Sequence, residues 1–372
     1  MQKPAAATVV PSRLLYLDWL RGVAVLAMVH AHMLDAWTRD ADRQRRAYYS
    51  LQWIGGIASP LFLFLAGAAM AMSAASKTRL AGSSAVGAQA ARRRGWEIFL
   101  LAFVFRLQAE ILGLGPLKTI LKVDMLNTMG LSIVAASFLW QLTAERRART
   151  AIFGLVTMAI AFATPLVRAA PQLALLPDPL EAYLRPAASY SAFPLFPWAG
   201  YLFAGVITGD LIDRRRVTGQ TPGVLQLAFF AFGLGALTIG WLASFGPALY
   251  RTADFWHDSP TIFFIRLGAV AMLVPIAWTV EDVSEGGRKG VLGGFQVLVT
   301  LGRSSLFVYW IHVEMVYGVI AGPFKRHIPL WGTQVAWVLL CAALYRIVLW
   351  KNRLMDGVEL PRRARIFATV LR

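Results

Sequence analysis

Ten apolar runs recur along the 372 residues, near 16–37, 51–75, 95–113, 124–142, 150–168, 194–212, 222–246, 260–280, 295–320 and 330–350. Each is about 20 residues long, the length a helix needs to cross the roughly 30 Å hydrocarbon core of a bilayer. Lipid offers no partner to backbone N–H and C=O groups, so such runs close their hydrogen bonds internally, as helices. The expected fold class is therefore all-α: a polytopic integral membrane helical bundle of about ten transmembrane helices. The count rises to eleven if a re-entrant piece forms in the Gly- and acid-rich loop 281–294. Composition agrees, with 57% hydrophobic and 15% charged residues against roughly 45–50% and about 25% in soluble domains. Disorder, a collagen-like fibre and a disulfide scaffold are excluded, and the lone Cys341 has no intramolecular partner.

A net charge of +17 would suggest nucleic acid in a soluble chain. Here most Lys and Arg lie between apolar runs, where the positive-inside rule needs them, and no nucleic-acid partner is expected. With the N-terminus inside, the inner segments hold 21 Lys and Arg and the outer loops 11. Both termini are thus expected in the cytoplasm, in a multi-pass protein of the plasma (inner) membrane. The first apolar run starts at Tyr16 and carries Asp18, Arg21, His30 and His32. It is too long and too polar for the apolar core of a cleaved signal peptide. The domain reading is a cytoplasmic leader over 1–15, a membrane domain over 16–350 and a basic cytoplasmic tail over 351–372. The stretch 81–87 reads as a plain cytoplasmic loop.

Ionisable groups at membrane depth are costly unless they face a cavity or a partner, so chemistry is sought there. Arg21 and His32 are 11 residues apart, or about 1100°, within about 20° of three full turns, and Asp18 joins the same face. His30 points the other way. Two readings of this face stay open: a functional cavity wall, or a structural Asp18–Arg21 pair with a packed His32. The His30-Ala-His32 pair diverges by about 200° on a helix and cannot chelate one ion, and no metal site is expected. His312 lies in the ninth run, nine residues past Arg303, near mid-membrane. Arg106 and Glu110 have i, i+4 spacing and are expected to pair, as structure or as a cavity wall. Asp124 and Asn127 open the fourth run, where Asp124 fits a helix cap.

The motif Leu17-Asp18-Trp-Leu-Arg21-Gly22, continuing to His30-Ala-His32, resembles the first-helix signature of the transmembrane acyltransferases. The similarity is to the heparan-alpha-glucosaminide N-acetyltransferase-like family and its relatives in the acyltransferase-three family. Further matches follow in family order: Ser59-Pro-Leu-Phe-Leu-Phe-Leu-Ala-Gly67, Asp124-Met-Leu-Asn127-Thr-Met-Gly130, Phe193-Pro-Leu-Phe-Pro197-Trp198-Ala-Gly200-Tyr and Leu301-Gly302-Arg-Ser-Ser-Leu-Phe-Val-Tyr309-Trp-Ile-His312. The resemblance implies a multi-span enzyme that moves an acetyl or other acyl group from cytoplasmic acetyl-CoA, or another acyl-CoA, to a sugar or glycan acceptor at or across the membrane. It also implies that His32 is catalytic. At His32 the chain follows the acyltransferase-three pattern. The glucosaminide enzyme has Asn there and its active His eleven residues later, where this chain has Arg43.

Helical rise places Arg21 about 16 Å from His32, which suits a phosphate-bearing donor lying along one face. The expected site has His32, His312 and Asp18 as catalytic groups. Arg21, Arg92, Arg93 and Arg94 would hold the donor, and Arg106, Glu110, Asp124 and Asn127 would wall the acceptor cavity. The partners expected are a small-molecule acyl donor, a sugar or glycan acceptor and membrane lipid, and a homodimer is compatible with the reading. The competing class is a transporter or a non-catalytic solute or lipid binder built on the same polar cavity.

Overall fold

The computed structural model describes residues 13–113, 117–187, 190–285 and 289–356. The expected leader before residue 13, Arg288 and the basic tail beyond 356 lie outside them. Among the described residues are α1 Leu15–Trp37, α2 Asp40–Arg43, α3 Arg46–Gly56, α4 Ala58–Ala81, α5 Ser84–Gly113, α6 Met125–Gln141 and α7 Arg146–Ala169. The second half adds α8 Asp178–Leu184, α9 Leu195–Val217, α10 Gly223–Ala243, α11 Pro260–Glu285, α12 Lys289–Arg303, α13 Ser305–Tyr317 and α14 Leu330–Met355. The described residues hold no strand, only two isolated bridges, Thr38 with Ile328 and Val123 with Ser191.

Helices cover all ten apolar runs, with α3 and α4 sharing the second and α12 and α13 the ninth. Six stretches are long and apolar enough to cross a membrane: Arg46–Ala81, α7, α9, α10, Pro260–Ser284 within α11, and α14. The expectation of ten or eleven spans therefore exceeds what length and composition support. Ionisable groups interrupt α1 and α5, α6 has 17 residues, and the ninth run is broken. Outward faces remain oily: Leu155, Leu166, Leu227, Ile239 and Leu339 are each more than half exposed, as lipid-facing side chains are and those of a soluble surface are not.

The break in the ninth run is the main departure from the sequence reading. Ser304 sits between α12 and α13 at φ −104°, ψ 21°, and its Oγ accepts a hydrogen bond from Lys351 Nζ at 3.0 Å. The buried Lys351 ammonium also lies 5.1 Å from the Phe307 ring centroid. A buried charge needs such partners, so Lys351 belongs to the bundle and not to the tail. The expected loop at 81–87 also shrinks to a tight turn, because α5 starts at Ser84 and Gly82 takes a left-handed φ of 66° that glycine adopts without Cβ strain.

The α9 helix lies at the centre, with 72% of its apolar window buried, whereas α14 offers 22%. Small residues let the main chains touch. A Cβ at Gly205 of α9 would collide with the Phe64 carbonyl of α4, and one at Gly302 of α12 with the Asp18 carbonyl of α1. Gly205→Val is expected to cost about 1–3 kcal/mol by overpacking, read as a lower thermal unfolding midpoint. Gly154→Ala, inside α7 where an added Cβ meets nothing within 4 Å, is expected to keep or slightly raise the midpoint, because alanine loses less backbone entropy in a helix than glycine.

Contacts sort the helix ends. The start of α1 binds the end of α12 through Asp18 and Arg303, and the ends of α4 and α9 meet the start of α7 through Arg79, Asp213 and Arg146. At the opposite end, the segment after α1 pairs with the segment before α14, Arg39 N–H donating to the Ile328 carbonyl at 2.9 Å. Buried Asp42 ties this end together. It accepts from Arg39 Nε at 2.8 Å, Arg45 Nε at 3.0 Å and the Leu330 N–H at 3.0 Å, capping α14 from another segment. The Arg39 hydrogen bond, then the Leu330 N–H, hold its carboxyl below the ordinary 3.8. A depressed folded pKa contributes stability above the unfolded value that is lost as pH falls through the folded one. Asp42→Asn is expected to unfold at a lower temperature than wild type at pH 7, the two curves converging as pH drops below about 4.

Candidate functional site

On α1, residues 21, 28 and 32 fall on one helical stripe, spaced by seven and then four. Arg21, Met28 and His32 all border one cavity of about 1020 Å³, at the upper end of ligand sites. It runs from a basic mouth formed by Arg21, Lys77, Arg93, Arg94 and Arg303 to an inner end at His32 and Tyr309. Between them the wall is apolar, with Phe62, Leu65, Leu126 and Met129. A long channel, charged at one end and apolar along its shaft, matches a ligand with an anionic head and a slender arm.

The basic mouth is organised by Asp18. Its carboxylate, 2% exposed, accepts from Arg13 Nε at 2.6 Å, Arg21 Nη1 at 3.0 Å and Arg303 Nε at 3.3 Å. One buried negative charge fixes three guanidiniums, leaving a surplus of positive charge at the mouth. Arg93 and Arg94 share Glu97, at 3.1 and 3.5 Å.

At the inner end, His32 Nδ1 lies 2.8 Å from His312 Nε2, and the two rings lie edge to edge within 8° of parallel. His312 Nδ1 lies 2.9 Å from the Val308 carbonyl, which can only accept, so the proton sits on His312 Nδ1. With both rings neutral, His312 Nε2 then accepts and His32 Nδ1 donates. The lone pair of His32 Nε2 is left for the cavity, the tautomer a general base requires. Tyr317 stands edge-on to His32 at 5.4 Å and donates to Asp35 Oδ2 at 3.3 Å.

The sequence candidates divide. His32 and His312 come together, and Arg21, Arg93 and Arg94 line the mouth. Arg92 turns away: it donates to Gln141 at 2.7 Å and lies 4.2 Å over the Phe138 ring. Asp18 sits about 21 Å along the helix from His32, so it orders the arginines and does not reach the histidines. His30 bonds Gln334 at 2.8 Å and packs on Trp337. The expected Arg106–Glu110 pair is replaced by Arg106–Asp124 at 3.3 Å, and Asp124 with Asn127 forms a reciprocal capping box on α6. These four residues are not among those lining the cavity. Arg43 bonds the Asp35 carbonyl at 2.6 Å and also stays outside. Sequence reasoning did not single out Lys77, Arg303 or Tyr309 as site residues, although the last two lie in the quoted 301–312 motif.

A family model described as heparan-alpha-glucosaminide N-acetyltransferase, catalytic, matches residues 13–239. The match contains Asp18, Arg21, His32, Arg93 and Arg94 and ends before His312. No curated protein matches the chain.

Proposed function

The chain belongs to the heparan-alpha-glucosaminide N-acetyltransferase catalytic family, and from that premise we propose that it transfers an acetyl group from cytoplasmic acetyl-CoA to a sugar acceptor at or across the membrane. The observation that carries the reading is the single cavity that holds Arg21 at its basic mouth and His32 at its inner end. Arginine forks suit phosphate oxygens, and the apolar shaft suits a pantetheine arm. The excess of Lys and Arg on inner segments, 21 against 11, supports a mouth open to the cytoplasm with both termini on that side. The resemblance at Arg21 and His32 to the acyltransferase-three pattern supports His32 as the reacting histidine.

In the proposed step, His32 Nε2 accepts the proton of an acceptor hydroxyl or amine as that atom attacks the thioester carbonyl. The new C–O or C–N bond forms, the C–S bond breaks, and the imidazolium returns its proton to the departing thiolate. His312 is a positioning residue: it holds His32 in the base tautomer and orders the ring. Arg21, Arg303, Arg93 and Arg94, with Lys77, hold the donor's phosphates, and Asp18 keeps Arg21 and Arg303 in place.

Purified protein in vesicles, given acetyl-labelled acetyl-CoA and a panel of sugars, tests the reading. Label appearing in a sugar, lost in His32→Ala, is the expected result. Sugar uptake into the vesicles without acetyl transfer would overturn it in favour of a transporter.

A further inference from the structure

A second polar cavity lies at the same basic end, on the other side of the α4–α5 turn. It has a volume of about 390 Å³ and is lined by Thr78, Arg79, Ser83, Trp140, Arg146 and Arg149, together with small residues. It shares no lining residue with the larger cavity: Lys77 borders one, and Thr78 and Arg79 the other.

Four buried donors around it have no hydrogen-bond partner: Thr78 Oγ1, Trp140 Nε1, Arg146 Nη1 and Arg149 Nε. Trp140 is 0% and Arg149 5% exposed, and the Arg149 guanidinium lies 3.8 Å over the Trp140 ring. Buried donors without partners are costly, each forfeiting a hydrogen bond it had in water. One buried acceptor beside them, Asp210 Oδ1, is also unpaired, so at least three of the four donors call for an acceptor from outside the chain. The arginines are only partly neutralised. Asp213 accepts from Arg79 at 2.9 Å and Arg146 at 3.2 Å, and Asp210 stands 3.5 Å from Arg149. Three guanidiniums against two carboxylates leave one positive charge. Two long helices also begin at the rim, α5 at Ser84 and α7 at Arg146, adding the positive ends of their dipoles.

The geometry points to a binding site for a phosphoryl anion, held by Arg146, Arg149, Trp140 and Thr78 apart from the transferase cavity. A tetrahedral phosphoryl group offers at least three acceptor oxygens in diverging directions, which four donors from α4, α6 and α7 can share. A planar carboxylate offers two oxygens, and a single water, even one donating to Asp210 Oδ1, accepts from two donors at most. The volume is near the low end for ligands and fits a phosphoryl group with a short appendage. The source is either the headgroup of an anionic lipid or a free phosphate. The site stands independently of the acetyl-transfer reading.

The test is the thermal unfolding midpoint of the full chain with two probes. One arm titrates inorganic phosphate against matched chloride in detergent. The other compares nanodiscs of phosphatidylcholine with and without phosphatidylglycerol. Wild type is expected to show a saturable rise in at least one arm. Arg146→Gln and Trp140→Phe, the second of which keeps the aromatic ring under Arg149, should need roughly tenfold more probe, the equivalent of one charge-assisted hydrogen bond. Arg147→Gln, an equal charge change at the exposed neighbouring residue, should behave as wild type. A response in both arms assigns a free phosphoryl group, and one confined to phosphatidylglycerol assigns a lipid headgroup. No saturable rise in either arm, or an equal loss in Arg146→Gln and Arg147→Gln, overturns the site. Because no arm measures acetyl transfer, failure here leaves the enzymatic reading intact.

Discussion

His32→Ala is expected to lower turnover by about 10²–10⁴-fold, the range for losing a positioned general base, while donor KM stays within a few fold. The split follows from the cavity, whose basic residues, proposed to hold the donor's phosphates, lie about 16 Å away at the Arg21 end. His312→Ala should lose less than His32→Ala, because it removes the hydrogen bond to His32 Nδ1 and leaves the base itself. His312→Gln, with an amide oxygen able to accept from His32 Nδ1, should recover part of the loss. Equal activity in wild type and His32→Ala, measured by steady-state acetyl transfer, would move the chemistry to another group. Equal losses in His312→Ala and His312→Gln would remove the tautomer argument.

Arg21→Gln is expected to act at the other end of the cavity, raising donor KM by about 10- to 100-fold with kcat nearly unchanged. The magnitude corresponds to about 1.5–3 kcal/mol for a hydrogen bond to a charged group. The side chain is 26% exposed, so salt screening places the effect toward the lower end at high ionic strength. Asp18→Asn should raise the same KM less steeply, because Arg21 and Arg303 stay present but lose their shared anchor. A fall in kcat with unchanged KM for Arg21→Gln would show that the cavity is occupied in the opposite sense or by a different ligand.

Helical arithmetic on α1 set Arg21 and His32 on one face and His30 on another because the helix is continuous from Leu15 to Trp37 and its period is fixed. Asp124 was legible as a cap for the same reason: capping is local and needs only the residues that follow. The same local logic misplaced Arg92, grouped with Arg93 and Arg94 as one basic cluster. Adjacent helical residues diverge by about 100°, and which of them meets the cavity depends on where α6 packs. It also paired Arg106 with Glu110, four residues along its own helix, although Asp124 from α6 stands 3.3 Å away.

Length, apolar runs and a 3.6-residue period are properties of the chain itself, so the sequence alone determined an all-helical membrane protein and the stripe that carries Arg21 and His32. The split at Ser304, the burial of Lys351, the three arginines gathered on Asp18 and the contact of His32 with His312 across 280 residues were decided only by tertiary structure. A buried charge or imidazole takes whichever partner the packing of other helices brings within hydrogen-bond reach, and no periodicity within one helix encodes that partner.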